Sequence, residues 1–307
     1  MNRWGRIIGV ALIVTCVLAS ARAGKLEVTA GLDGDQISVN VEGKLFTAYK
    51  FADSQKYPYF WPVNGPVSGK SITTETSQPY PHHHSLFFGC DKVNGGNYWQ
   101  DVNARGQIVS EGPKIVKASG KRVVFTDKCS WRQPGSEPII SDKRRIVITA
   151  PSEDVRLIDF EITLKPLVDI EILKTNHALF SARVVPELCV KSGGTLINAQ
   201  GKTTEKGTFG LNSPWCDYSG TRDGVTEGIT ILQNPANRWF PSKWFTRDYG
   251  FFSPTPMYWL EGGRLELPKG ETLKLKYRVV VHTGDVEQSQ IAGKFEQYRQ
   301  APGAGQK

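Results

Sequence analysis

Beyond residue 18 the chain has no apolar run long enough to cross a bilayer as a helix, which excludes a helical membrane bundle and every activity that needs one. It also lacks a block of single-sign charge. Lysines and arginines are interleaved with acids, as around Lys121-Arg122 and Lys143-Arg144-Arg145, so a nucleic-acid arm is excluded. No CxxC or Cys/His spacing suggests a structural zinc site. Histidine is scarce too: there are five in 307 residues. Three of the five are consecutive, His82, His83 and His84, in the run PYPHHHSLFFG. Imidazole is the side chain best suited to proton transfer near neutral pH and the commonest metal ligand, so this is the first place to look for chemistry.

The N-terminus reads as a secretory leader over residues 1–23. Arg3 and Arg6 precede the apolar run 7–18, which is followed by Ala21-Arg22-Ala23. The expectation is an exported protein, periplasmic or extracellular. Cleavage would remove three arginines and no acid, lowering the formal net charge from +8 to +5. Cys16 would leave with the leader, and Cys90, Cys129, Cys189 and Cys216 would remain, allowing three pairings. An oxidising compartment favours disulfides. We expect sequential pairs, Cys90 with Cys129 and Cys189 with Cys216, against the alternative of free buried thiols.

Period-two alternation dominates the rest of the chain, as in Ile158, Phe160, Ile162 and Leu164 against Asp159, Glu161 and Thr163. It recurs at 36–41, at 146–149 and through Leu273, Leu275, Tyr277 and Val279, with turns at Glu42-Gly43, Ser119-Gly120 and 151–154. Many short strands punctuated by Gly and Pro predict an all-β fold, a large antiparallel two-sheet sandwich. One helix is expected near 286–298, followed by a frayed tail over 301–307. No linker or repeat interrupts the strands, so residues 24–300 are expected to form one β-sandwich domain.

If the histidine run is extended, His82 and His84 share one face and His83 takes the other. Two imidazoles on one face could divide acid and base roles or begin a divalent-metal site, with His177, Asp91 or Asp248 as a third ligand. The plainer alternative is that the three histidines pack, cap a turn and face solvent. The next stretch, GCDKVNGGNYW, presents Asp91, Asn94, Asn97 and Trp99 among glycines. Amide, carboxylate and indole together suit sugar hydroxyls and apolar C–H faces, although such residues also build ordinary turns.

A third cluster opens with WCDYSG, carrying Trp215 and Asp217, and continues through GITILQNPANRWFPSKWFTRDYGFF. Here Trp239, Trp244, Tyr249 and Phe251 could line a cleft. Arg247 could hold a carboxylate or a hydroxyl, and Asp248 could act as base or ligand. The competing reading is core packing for the tryptophans and local pairing for the charges.

PHHHSLFFGCDKVNGGNYW, WCDYSG, Asn234-Pro235, TRDYG with Phe251-Phe252, and LKLKYRVVVHTGD resemble an exported bacterial family of unknown function, of DUF6807 type, traditionally labelled methane oxygenase PmoA-like. The resemblance covers most of the chain but implies no secure activity, and methane oxidation is excluded by the missing spanning helices. The chain departs from the commoner family form in carrying His84-Ser85 where Arg-Gly is frequent. A second stretch, KTNHALFSARV, is similar to the segment of galactose mutarotase-like supersandwich proteins that holds their central histidine. That resemblance implies a supersandwich with His177 as general acid; Glu261 and Glu266 are candidates for the accompanying glutamate.

The resulting expectation is a carbohydrate-active protein working by acid–base or metal-assisted chemistry as a glycoside hydrolase, lyase or sugar epimerase. His82, His84, His177 and Asp248 would be catalytic. Asp91, Asn94, Asn97, Trp99, Trp215, Asp217, Trp244, Arg247 and Tyr249 would bind a sugar or sugar-derived molecule. The alternative is a periplasmic carbohydrate-binding module without turnover, which needs the aromatic residues but not the histidines.

Overall fold

The computed structural model describes residues 26–100, 102–176 and 178–301. The expected leader, His177 and the tail from 302 lie outside the described residues. Within them, two antiparallel sheets of 12 and nine strands carry the architecture, as the alternation predicts. Val155–Pro166 buries Ile158, Phe160, Ile162 and Leu164 while Asp159, Glu161 and Thr163 stay more open. It pairs with Ile140–Ser152 and Leu273–Thr283 in the centre of the nine-stranded sheet.

The 12-stranded sheet runs Trp244–Thr246, Phe251–Pro254, Leu179–Arg183, Leu86–Val93, Tyr59–Val63, Lys44–Lys50, Gln36–Val41, Val28–Asp33 and Ser119–Gly120, with three further strands off this path. Ser119-Gly120, expected as a turn, instead pairs with Val28 and Thr29 at the sheet edge. Aromatic rings fill the space between the sheets. Phe180 lies 4.9 Å from Phe160 and 4.7 Å from Tyr277, and Phe88 packs on Trp131 and Phe160. Each buried ring stabilises the sandwich by roughly 1.5–3 kcal/mol through apolar area removed from water.

The C-terminal helix is Ile291–Gln300, starting later than 286 because the preceding residues form a turn. Asp285 Oδ1 accepts from the Glu287 and Gln288 amides there, and Gln290 has φ 52°. Ile291, Phe295 and Tyr298 face the outer surface of the nine-stranded sheet and pack with Val155, Trp215, Leu232 and Val280. The only other α-helix among the described residues is the short Thr204–Thr208.

The expected disulfides do not form: Cys90, Cys129, Cys189 and Cys216 are free and buried. Cys90 and Cys129 belong to strands of different sheets. Cys90 Sγ turns to the Asp91 carbonyl, Cys129 Sγ to Asp127 Oδ2 and Cys189 Sγ to Ser192.

Candidate functional site

Phe88 and Phe180 point into the sandwich, so their strand neighbours point the other way. Phe87, Phe245 and Phe251 therefore lie on the outer face of the 12-stranded sheet, where Trp99 joins them at 6.0 Å from Phe87 and 6.2 Å from Phe251. His83 is buried in the middle of this layer. Its ring lies 4.5 Å from Phe251, 5.1 Å from Tyr80 and 5.7 Å from Trp99.

The three histidines precede their strand rather than joining it, since pairing begins at Leu86 and Ser85 has φ 52°. This turn separates His82 and His84 instead of aligning them. His84 Nδ1 bonds to the Glu75 carbonyl at 2.7 Å and its ring stacks on Tyr59 at 4.8 Å. His82 meets the Trp99 indole edge-on and opens onto a cavity of about 300 Å³. Among the described residues no three His, Cys, Asp or Glu side chains gather as metal ligands, and the proposed His82/His84 pair is divided between two surroundings.

The cavity unites four sequence-predicted residues, His82, Asp91, Arg247 and Tyr249, with Tyr80, Lys92, Gln100, Thr175, Asn176 and Phe245. Strand order explains the assembly. Trp244–Thr246, Phe251–Pro254, Leu179–Arg183 and Leu86–Val93 are successive neighbours, so the segments around them converge although far apart in sequence. Lys92 in the lining, and Ser85 and Leu179 at the starts of the neighbouring strands, have left-handed backbone, at φ 53°, 52° and 74°. Such conformations are unfavourable for side-chain-bearing residues and cluster where a fold holds a site in shape.

The electrostatics single out two groups. Burial, helped by the nearby His84, pushes the His82 pKa down to about 4, so its imidazole is neutral and able to accept a proton. Burial raises the Asp91 carboxyl above its usual value, against opposing contributions from Thr175, Lys92 and Gln100. Gln100 Nε2 donates to Asp91 Oδ2 at 3.1 Å. Arg247 is held by Glu205 at 3.0 Å and lies over the Phe245 ring at 4.0 Å.

The remaining candidates have structural roles. Asp248 Oδ1 accepts the Glu205 amide at 2.7 Å, and Glu205 Oε2 accepts the Asp248 amide at 3.2 Å, so this carboxylate fastens the Thr204–Thr208 helix instead of facing the cavity. Asn94 spans the Asp169 carbonyl and the Glu171 amide, and Asn97 Oδ1 accepts the Trp99 and Gln100 amides. Trp99 is buried beneath the site. Trp244 stacks on Phe252 in the interior and donates to the Ser213 carbonyl at 2.7 Å. Trp215 lies under the C-terminal helix, and Asp217 is buried against His282 at 2.8 Å. Glu266 pairs with Arg264, and Glu261 sits in an exposed turn.

Sequence reasoning misses Tyr80, Gln100 and Asn176, although Tyr80 and Asn176 lie inside stretches it marks, PYPHHHSLFFG and KTNHALF, and Gln100 directly follows the GCDKVNGGNYW loop. A larger cleft of about 540 Å³ lies between Glu42, Asn64 and Arg156. It contains no histidine and no group of the kind seen at His82 and Asp91.

The family described as "Family of unknown function (DUF6807)" matches residues 36–296. No curated protein matches the sequence. Among solved structures, the chain is similar to a putative aldose 1-epimerase from Escherichia coli K12, with 11% identity, TM-score 0.33 and coverage of 84% of this chain and 98% of that one. It is also similar to galactose 1-epimerase from Lactobacillus acidophilus NCFM, with 8% identity, TM-score 0.39 and coverage of 86% and 100%. For heparan sulfate lyase HepC from Pedobacter heparinus the values are 10%, 0.32, 81% and 30%.

Proposed function

The chain belongs to the DUF6807 family of unknown function, and on that footing we propose that it is an exported carbohydrate-active enzyme acting on a glycoside or modified sugar by proton transfer. The cavity carries this reading: it places a histidine depressed in pKa and an aspartate raised in pKa within one lining, beside aromatic rings and amides. Burial favours the neutral form of both groups, a free imidazole and a protonated carboxyl, which are the forms that accept and donate a proton. His82 accepts a proton from the sugar as Asp91 supplies one. The rings of Tyr80 and Tyr249 offer apolar faces to the sugar, while Gln100, Asn176 and Arg247 supply donors for its hydroxyls.

A binding module without turnover is the second reading. It is favoured by Asp91 already being engaged by Gln100 and Arg247 by Glu205. A panel of oligosaccharides incubated with the purified protein and followed by mass spectrometry and proton NMR separates the two. Under the enzyme reading, His82→Ala and Asp91→Asn each lower turnover by about 100-fold or more. Turnover unchanged in both variants would reject the assignment, and binding without any product would establish the module.

A further inference from the structure

Among the described residues, no acid pairs with one buried cation on the same outer face. Arg183 pairs across the strands with Phe251, which directs its side chain to the outer face, and it is only 3% exposed. Its Nη2 donates to Ser77 Oγ at a long 3.4 Å. Nε and Nη1 are buried with no hydrogen-bond partner. The ionisable groups acting on it are Tyr249, Cys189, Tyr218 and Tyr80, with no carboxylate among them, and burial holds its pKa below the ordinary arginine value.

The fold treats its other buried arginines differently. Arg144 is met by both oxygens of Asp142, and Arg156 donates to three backbone carbonyls. An enclosed guanidinium with idle donors is unfavourable unless something completes it. What lies over Arg183 is the candidate cavity's own wall. The Tyr249 ring sits 4.3 Å from its Cζ, and Tyr80 lies 5.2 Å from Tyr249. Tyr80 is 37% exposed within a stretch, 78–81, that is exposed throughout, and its backbone is tied to Ser77 and His83, so it is the ring alone that can turn outward, uncovering the His83 ring it stacks on.

We propose that Arg183 is an anion anchor for this site and that the sugar it takes bears an oxyanion, a uronate carboxylate or a sulfate ester, which meets the Nη1/Nη2 end of the guanidinium when Tyr80 swings aside. Charge-assisted bonds to a planar guanidinium discriminate strongly in favour of such groups. This rests on the carbohydrate reading of the cavity.

The test is calorimetric titration of the full chain with neutral galactose oligomers, oligogalacturonates and sulfated galactose oligomers. An anionic series binds about 10-fold or more tightly than the neutral one, and the series that gains identifies the group. Arg183→Met abolishes the preference while neutral binding stays. Ser77→Asp, at the part-buried hydroxyl that Nη2 reaches, is the variant to use if the first does not fold. It supplies an internal carboxylate and likewise removes the preference. Equal binding of neutral and anionic sugars, or a preference that survives both substitutions, overturns the anchor while leaving the carbohydrate reading intact. Binding of no sugar, either in this series or in the oligosaccharide panel described above, overturns both.

Discussion

His83 lies parallel to Trp99, with ring planes 5° apart and centroids 5.7 Å apart, while the adjacent His82 presents itself to the same indole at 81°. Sequence neighbours thus divide between a ring buried in the aromatic layer and a ring at the cavity wall. His83→Ala removes a ring enclosed by Tyr80, Trp99 and Phe251 and is expected to destabilise the fold by about 2–4 kcal/mol, the range of large-to-small core substitutions. His82→Ala, at the cavity wall, should leave the free energy of unfolding within about 0.5 kcal/mol of wild type. Equilibrium urea unfolding of the two variants checks this, and equal destabilisation would contradict the division.

The low proton affinity of His82 makes a second prediction with a definite sign. An unfolded histidine protonates near its ordinary value of 6.5, whereas His82 in the fold does so at about 4. Between those values the unfolded chain binds the extra proton, so this residue lowers stability as pH falls from 6.5 to 4 and contributes no pH dependence above that window. Histidine ring resonances followed by NMR should show His82 titrating at about 4. His84→Ala removes the secondary cause and raises the midpoint modestly. A His82 midpoint near 6.5 in the native protein would refute its burial.

Much of the fold was legible because alternation is a direct consequence of strand geometry, and Val155–Pro166 obeys it at every residue from Arg156 onward. The site was legible only in part. His82, Asp91, Arg247 and Tyr249 were marked by chemistry, but their meeting depends on which strands become neighbours, a property no local pattern reports. Asp248 and Trp244 carry the same side-chain chemistry as site residues. What removes them is a helix terminus in one case and the inward side of a strand in the other. Arg183 shares a stretch with His177 yet carries no mark in the sequence, because the lack of an acid partner is visible only in three dimensions.

The thiols provide a third test. Burial raises Cys90, Cys129 and Cys216 well above the usual thiol pKa, so little thiolate exists to react in the native state. Alkylation with iodoacetamide should be slow in buffer. In denaturant without reductant it should reach all four of Cys90, Cys129, Cys189 and Cys216, as read by intact mass. A mass lower by two or four adducts, restored by prior reduction, would restore the disulfides.

The fourth prediction concerns a charged network between the sheets. Arg144 donates to Asp142 through Nε at 2.9 Å and Nη2 at 3.1 Å, and Trp131 Nε1 donates to the same carboxylate at 2.8 Å. Arg144 Nη1 reaches the Tyr49 hydroxyl at 3.3 Å, which in turn donates to Asp127 Oδ2 at 2.8 Å. Arg144 and Asp142 are both enclosed, so the Coulomb attraction is unscreened by solvent but both groups have lost hydration. Removing one partner strands the other: Asp142→Ala leaves three donors without acceptors and a cation without a counter-charge. We expect a loss of about 3–5 kcal/mol in urea unfolding, and a similar loss for Arg144→Met, which leaves the carboxylate buried. The double variant Asp142→Leu/Arg144→Met removes both charges together and should recover a large part of that loss, because no isolated ion remains. Additive losses in the double variant would show that the pair's strength lies in its individual contacts with Trp131 and Tyr49 and not in mutual neutralisation.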